Sequence, residues 1–426
     1  MTETFGQKRS TVHQVAAFGI CAVLLGGSAA VQAGGAGQAG GAGGPSHTFT
    51  IVVDSERDGL AATRCPAINT VGTIAVTVVD TLGRTSIITK RNASDTPVTI
   101  ADTQTVANFP TICDNGFSSL PSDPSINEKG EVAFQGNLRR VSTCAGGTRQ
   151  GVFLGNGGPL TTIAHSINLP GGDFISEFLV ADQSVNTLGR VAFVPELDLT
   201  FDQGLFVGSK NGTYDQRFLA DTPTPDGFNF NNLSSRVSMN ELGQIAFESG
   251  LNNSSVGGIF LSNPDGTFRT IVDNTGALSS VADPSLNLLG RVAFLGDRFD
   301  ADFNQIFSVN TSRGGAVTTV AESRPGGFAS FQEPSLNDLN QVAFTADVQP
   351  DPNVFVTVQG VFAGPDPVAD KVIQVGDQLR GIPVTSVRTC AEGLSNLGQI
   401  AMIVQSEDPE TFEVRTLVVK ATPRNR

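Results

Sequence analysis

Tryptophan is absent from this 426-residue chain, and histidine and methionine occur three times each. No His-Glu-x-x-His and no Gly-x-Ser-x-Gly run is present, which excludes the zinc-peptidase helix and the nucleophile elbow of α/β-hydrolases. None of the five cysteines stands in a Cys-x-x-Cys pair, so they do not read as a thiolate metal site. Basic residues are scarce: 27 Lys and Arg stand against 41 Asp and Glu, a net charge of −14, which disfavours DNA, RNA and anionic lipid as partners. Beyond residue 33 no long apolar run recurs, and the closing TLVVKATPRNR would not hold a membrane, so no membrane span is expected.

The first 33 residues read as an export signal. Lys8 and Arg9 precede an apolar run from Val15 to Val31, and Val31-Gln32-Ala33 supplies the small residues of a cleavage site. Gly26, Gly27 and Ser28 interrupt the run and no basic stop follows, which argues against a membrane anchor. Cys21, preceded by Phe18-Gly19-Ile20, lacks a lipoprotein setting. The expected division is a signal peptide over 1–33, a Gly-rich flexible tether over 34–47 and one folded domain over 48–426, secreted or periplasmic.

That domain is repetitive. Seven segments align without gaps: PAINTVGTIAV from Pro66, PSINEKGEVAF from Pro124, QSVNTLGRVAF from Gln183, VSMNELGQIAF from Val237, PSLNLLGRVAF from Pro284, PSLNDLNQVAF from Pro334 and EGLSNLGQIAM from Glu392. The repeat position is held by Asn69, Asn127, Asn186, Asn240, Asn287, Asn337 and, in the last copy, Ser395. Spacings of 47 to 59 residues suit a propeller blade. Asn-x-x-Gly is turn chemistry: the Asn side chain bonds the backbone just ahead of it, and Gly takes the left-handed conformation that closes a hairpin. Asn340 in the Gly place and Ser395 in the Asn place are the substitutes that this reading tolerates.

In the strand that follows, Val or Ile and Phe share one face and Ala points to the other. Stacked sheets then let Phe134, Phe193, Phe247, Phe294 and Phe344 fill the space left by Ala133, Ala192, Ala246, Ala293 and Ala343. One recurring packing site explains 28 Phe without a Trp. A third strand recurs at Gly151, Gly204, Gly258 and Gly360, with Gln305-Ile306-Phe307 as its variant. A fourth recurs at Thr99, Thr161, Arg217, Arg269, Thr318 and Lys371. The stretch Thr48 to Asp54 is a fourth-type strand with no blade before it, and Thr416 to Val419 a third-type strand with none after. Their complementarity predicts an all-β, seven-bladed β-propeller of four-stranded antiparallel blades, closed when the N-terminal strand completes the last blade.

The Asn-x-x-Gly-x-x-Ala-Phe core resembles the tandem repeats of bacterial exported proteins called NxxGxxAF-repeat proteins, over nearly all of residues 48–421. The resemblance implies a propeller-like repeat protein and no established activity.

Four cysteines lie beyond the signal. In an oxidising compartment an even number points to two disulfides among three possible pairings, with Cys113–Cys144 and Cys65–Cys390 favoured. Four residues before the repeat Asn stand Asp123, Asp182, Asp283 and Glu333, with Arg236 in the fourth copy and Glu392 one place out of register. If the Ser-x-Asn strand is innermost, these residues ring one mouth of the channel and could bind a cationic or sugar ligand or Ca²⁺. The plainer reading, and the one preferred on residue chemistry, is that Asp-Pro and Glu-Pro start strands and face solvent. Gly-bulky pairs at Phe117, Phe228, Phe328, Leu60 and Ile382 are expected to plug the space between blades. His165 occupies the slot of Asp102 and Asp273 and reads as a structural variant. The leading functional reading is a monomeric, non-enzymatic scaffold for an extracellular ligand or protein, without a required cofactor. Its rival is a polysaccharide-active enzyme using two acids such as Asp182 and Asp283 with Arg236 between them.

Overall fold

A computed structural model describes residues 46–104, 114–140, 149–165, 175–178, 182–197, 203–224, 227–252, 255–354 and 356–424. The expected signal peptide, most of the tether, and Cys113 and Cys144 with their pairing lie outside these residues. The period-two alternation of each repeat resolves into seven four-stranded antiparallel blades in a ring. Blade 4 is representative: Phe230–Met239, Ile245–Leu251, Gly257–Ser262 and Phe268–Asp273 pair in chain order. Blades 1 to 6 occupy 60–102, 114–165, 175–219, 230–273, 280–322 and 328–374. Blade 7 comprises Ser386–Arg388, Ile400–Glu407 and Val414–Pro423, and takes its outermost strand, His47–Asp54, from the other end of the domain.

Ring closure follows the predicted complementarity. Phe49 lies opposite Ala421 and Asp54 opposite Leu417 in an antiparallel ladder. Arg415 grips Asp54 with two bonds, Nε to Oδ1 at 3.0 Å and Nη2 to Oδ2 at 2.7 Å. At the inner edge a disulfide joins Cys65 of blade 1 to Cys390 of blade 7, with Cα atoms 5.9 Å apart. The two sequence ends of the ring are thus fastened at both its rim and its axis.

The repeat turns have the predicted chemistry. Asn127 Oδ1 accepts from the amides of Lys129 and Glu131 at 3.0 Å each, and the Gly positions have φ between 70° and 81°. Asn340 takes the same left-handed region at 61°, and Ser395 Oγ accepts from Gln399 N at 3.0 Å. The structure adds a second role for the asparagine, beyond the turn. Its Nδ2 donates to the backbone carbonyl of the next repeat residue around the ring: Asn69 to Asn127, Asn127 to Asn186, Asn240 to Asn287, Asn287 to Asn337 and Asn337 to Ser395. The serine two residues before the Asn is a second link, because its Oγ accepts the amide of the next blade at 3.0 Å in five interfaces, beginning with Ser125 and Val185.

Between blades, each bulky face packs on the alanine of the blade before it. Phe134 with Val132 lies on Ala75, Phe193 on Ala133, Phe247 on Ala192, Phe294 on Ala246, Phe344 on Ala293, Met402 on Ala343, and Val76 on Ala401. Seven such clusters, one per interface, form the core. Burying one Phe there contributes about 1.5–3 kcal/mol before entropy. Phe117 and Phe328 plug interfaces as expected, and Leu60 and Ile382 pack partly buried against others, but Phe228 is exposed and Phe230 fills its place.

One strand is aligned differently from expectation. In blade 5 the third strand spans Gln305–Ser312, but Phe294 faces Asn310, where blade 4 sets Phe247 against Phe260. Ser308-Val309-Asn310, not Gln305-Ile306-Phe307, therefore holds the Gly-Val-Phe place. Asn310 is tolerated in the core because Nδ2 donates to Ser308 Oγ at 2.7 Å and Oδ1 accepts from Thr319 Oγ1 at 3.1 Å.

Candidate functional site

Every innermost strand is interrupted just before its repeat segment. In blades 5 and 6 the ladder shifts register between Ala282 and Ser285 and between Gln332 and Ser335, and Asp283 and Glu333 adopt φ of 55° and 40°. In blade 4 the shift falls between Leu233 and Val237 and carries Arg236. An extra residue in a ladder re-aims its side chain, and a bulky residue held left-handed immediately before proline is strained backbone that marks a site. These interruptions turn the predicted residues inward.

They converge on Arg236. Its Nε donates to Asp182 Oδ2 at 2.9 Å, its Nη2 donates to Glu333 Oε1 at 3.0 Å, and its Nη1 lies 3.2 Å from Asp283 Oδ1. One guanidinium thereby bridges blades 3, 4, 5 and 6 across the channel. Burial works against its charge, but the three carboxylates more than offset it, so the arginine is held firmly protonated.

Asp123 and Glu392 take no part in that clasp. Asp123 Oδ1 accepts the Cys65 amide at 3.1 Å. Burial, followed by the charge of Asp182, pushes its carboxyl up to about 6. Glu392 occupies the proline place of its repeat and reaches across the axis, accepting from Ser125 Oγ at 3.0 Å and Ser184 Oγ at 3.2 Å. Blades 1 and 7 carry Ala67 and Gly393 where the others have the linking serine. Glu392 substitutes for both: its carboxylate accepts the amide of Ile126, and its backbone carbonyl accepts Ile68 N at 3.0 Å. Although the side chain keeps some accessible surface inside the channel, protein surrounds it, and burial pushes its pKa to about 7 despite those donors.

The six predicted residues therefore share one end of the channel, in two groups. Sequence reasoning missed Gln183, Arg64, Ser234 and Glu248. Gln183 was detectable as a second polar break at the proline place. Its Nε2 sits between the carbonyls of Asp123 and Ala133, at 2.7 and 3.1 Å, and its Oε1 is buried without a partner. Glu248 lies on a second strand with no repeat signal. Burial, then Asp283, raises its pKa to about 7.

Between the two groups is a cavity of about 30 Å³ walled by Cys65, Asp123, Gln183, Arg236, Glu333 and Glu392, room for about two waters. Above it opens a mouth of about 270 Å³ lined by Arg64, Ser122, Asp123, Asp182, Arg236 and Asp283. Among the described residues, the one convergence of three potential metal ligands is Cys65, Glu333 and Cys390. There the sulfurs bond each other, leaving no thiolate to hold an ion.

A family model matches residues 26–173 and again 168–420. The chain belongs to DUF7453, a family of unknown function. This DUF7453 member has no match among curated proteins. Solved structures of similar fold include a prolyl endopeptidase, 13% identical with TM-score 0.49 over 86% of this chain and 50% of the other. The DUF7453 chain thus spans about half the length of that enzyme. An ulvan lyase of polysaccharide lyase family PL25 is 9% identical with TM-score 0.44, over 89% and 98% of the two chains. The polysaccharide lyase Uly1 is 10% identical with TM-score 0.45, over 85% and 90%. Likeness at this level concerns the propeller alone, since function resides in sites carried on a fold.

Proposed function

We propose that this protein is an exported binding scaffold whose channel mouth takes a cationic group of an extracellular ligand or protein. The observation that carries the reading is the charge count at the mouth. Arg236 is shared among Asp182, Asp283 and Glu333, while Asp123 at the mouth and Glu392 in the cavity below it make no ion pair of their own and are raised toward neutrality by burial, as is Glu248 behind Asp283. A ligand ammonium or guanidinium, or Ca²⁺, would supply the missing charge. The Cys65–Cys390 disulfide supports export with cleavage after Ala33, since such bonds persist in oxidising compartments. The same compartment supports pairing of Cys113 with Cys144, and the repeat supports kinship with NxxGxxAF proteins.

The test is calorimetric titration with spermidine, an Arg-rich peptide, an amino-sugar oligomer and CaCl₂. Binding should disappear in Asp123→Asn while the protein stays folded with a melting temperature no lower than the parent's; no binding by any of the four would sink the proposal.

A second reading is favoured by Asp123 itself, because a carboxyl near 6 at an open mouth suits a general acid on a polysaccharide. Against the pair Asp182 and Asp283 stands their engagement by Arg236. Depolymerisation of an extracellular polysaccharide that is lost in Asp123→Asn would decide for the enzyme.

A further inference from the structure

The turn that closes each innermost strand directs its third residue outward, on the face opposite the acidic mouth. In six of seven blades that residue is apolar and exposed: Val71, Leu188, Leu242, Leu289, Leu339 and Leu397, from 49% to 67% accessible. Blade 2 has Lys129 instead. A lone exposed leucine needs no explanation. Six in equivalent places around one axis form a crown, interleaved with the turn carboxylates Glu128, Glu241 and Asp338, and exposed apolar side chains gathered on one face of a protein mark an interaction surface.

Charges around the crown indicate what covers it. On this face the turns and hairpins of blade 3 carry Arg190 and Lys210, the latter ion-paired with Glu131 of blade 2, those of blade 4 Glu241 and Asp265, those of blade 5 Arg291 and Arg313, and those of blade 6 Asp338 and Asp366. From blade 3 to blade 6 the sign alternates, and blades 1 and 2 carry both signs. When two copies stack crown to crown about a two-fold axis perpendicular to the channel, their blades run in opposite senses. Blade 3 then faces 6, blade 4 faces 5, and blade 1 faces itself, so each basic blade meets an acidic one and Arg91 can meet Asp95 of the other copy.

We propose that the crown is the interface of a face-to-face homodimer, with the leucines as its apolar centre and the alternating charges fixing its register. The acidic mouths then point outward on both copies, so the assembly and the mouth can succeed or fail separately. The dimer departs from the monomer expected from the sequence.

Sedimentation equilibrium on the full chain at micromolar concentration should give twice the monomer mass, and added salt should loosen the assembly. Leu242→Ser with Leu339→Ser should sediment as a monomer with the same circular-dichroism spectrum. Asp265→Arg and Arg313→Asp should each weaken association about tenfold, and combining them should restore it, since each contact then has its partner with signs exchanged. A monomer at every concentration overturns the proposal, as does a dimer indifferent to the leucine changes or a charge swap that fails to rescue. Capture of a monomer by phosphatidylcholine vesicles through the same leucines would overturn it in favour of a lipid surface.

Discussion

Asn127 Nδ2 donates to the carbonyl of Asn186 in the neighbouring blade at 2.9 Å, while Asn186 Nδ2, one interface further on, is buried without a partner. The same residue therefore does two jobs at one position and a single job at the other. Asn127→Ser keeps a turn acceptor, as Ser395 does in blade 7, but removes the link together with the Nδ2 bond to Glu131 Oε2, and should cost about 1 kcal/mol. Asn186→Ser loses nothing between blades and should be neutral or stabilising. Urea midpoints of the two variants separate the roles, and equal losses would show that the link contributes nothing.

Glu392 and Asp123 make stability depend on pH in a stated direction. Their carboxyls lie near 7 and 6 when folded and ionise at lower pH when the chain unfolds. Between about pH 4.5 and 7 the folded state holds protons that the unfolded state has released, so stability falls as pH rises through this window. Glu392→Gln should flatten the decline, removing on the order of 2–3 kcal/mol of pH dependence. A melting temperature that rises from pH 5 to 7.5 in the native chain would contradict the burial assigned to this glutamate.

Much of this was readable in residues 48–421. Blade number, turn chemistry, Phe-on-Ala packing and closure by Thr48 to Asp54 follow from period-two alternation and Asn-x-x-Gly, which are local signals repeated seven times. The misalignment in blade 5 arose because Ile306-Phe307 imitates a motif whose real occupant, Asn310, is polar. At the site, Arg236 stood out as a reversed sign among acids. Its three-carboxylate clasp did not, because contacts across an axis depend on ring radius, which no local pattern encodes. Glu248 was invisible for a related reason: it lies outside the repeat segment and meets Asp283 and Arg236 only once the ring is closed.

The disulfide should matter unequally for the two ways of opening the ring. Cys65–Cys390 closes a loop of 325 residues, so its loss costs about 2–5 kcal/mol through the unfolded chain. Closure by His47–Asp54 remains in the reduced protein. Cys65→Ser with Cys390→Ser should therefore fold and show a lower denaturant midpoint with unchanged strand content. Arg415→Ala, which frees buried Asp54, should expose the amides of Ile51 and Val53 to hydrogen exchange before the remaining blades. Uniform exchange across all blades would mean that the ring opens nowhere in particular.

Phe303 lies at the tip of the hairpin joining the second and third strands of blade 5, in a turn with the chemistry of the repeat. Asp300 Oδ1 accepts the amides of Asp302 and Asn304 at 2.9 and 2.8 Å, and Phe303 N donates to Asp300 O at 3.1 Å. Phe303 thus stands where the repeat places Gly, with φ of 63° and a side chain 86% accessible. A phenylalanine in the left-handed region costs about 1–2 kcal/mol, and its exposed ring recovers little of that. Glycine would relieve the strain at an entropic cost of up to about 1 kcal/mol. Phe303→Gly should leave stability unchanged or raise it by about 1 kcal/mol, whereas Phe303→Val, branched at Cβ, should lower it. Chemical denaturation of both variants settles the point. A loss in Phe303→Gly as large as that in Phe303→Val would show that the aromatic ring makes a stabilising contact of its own.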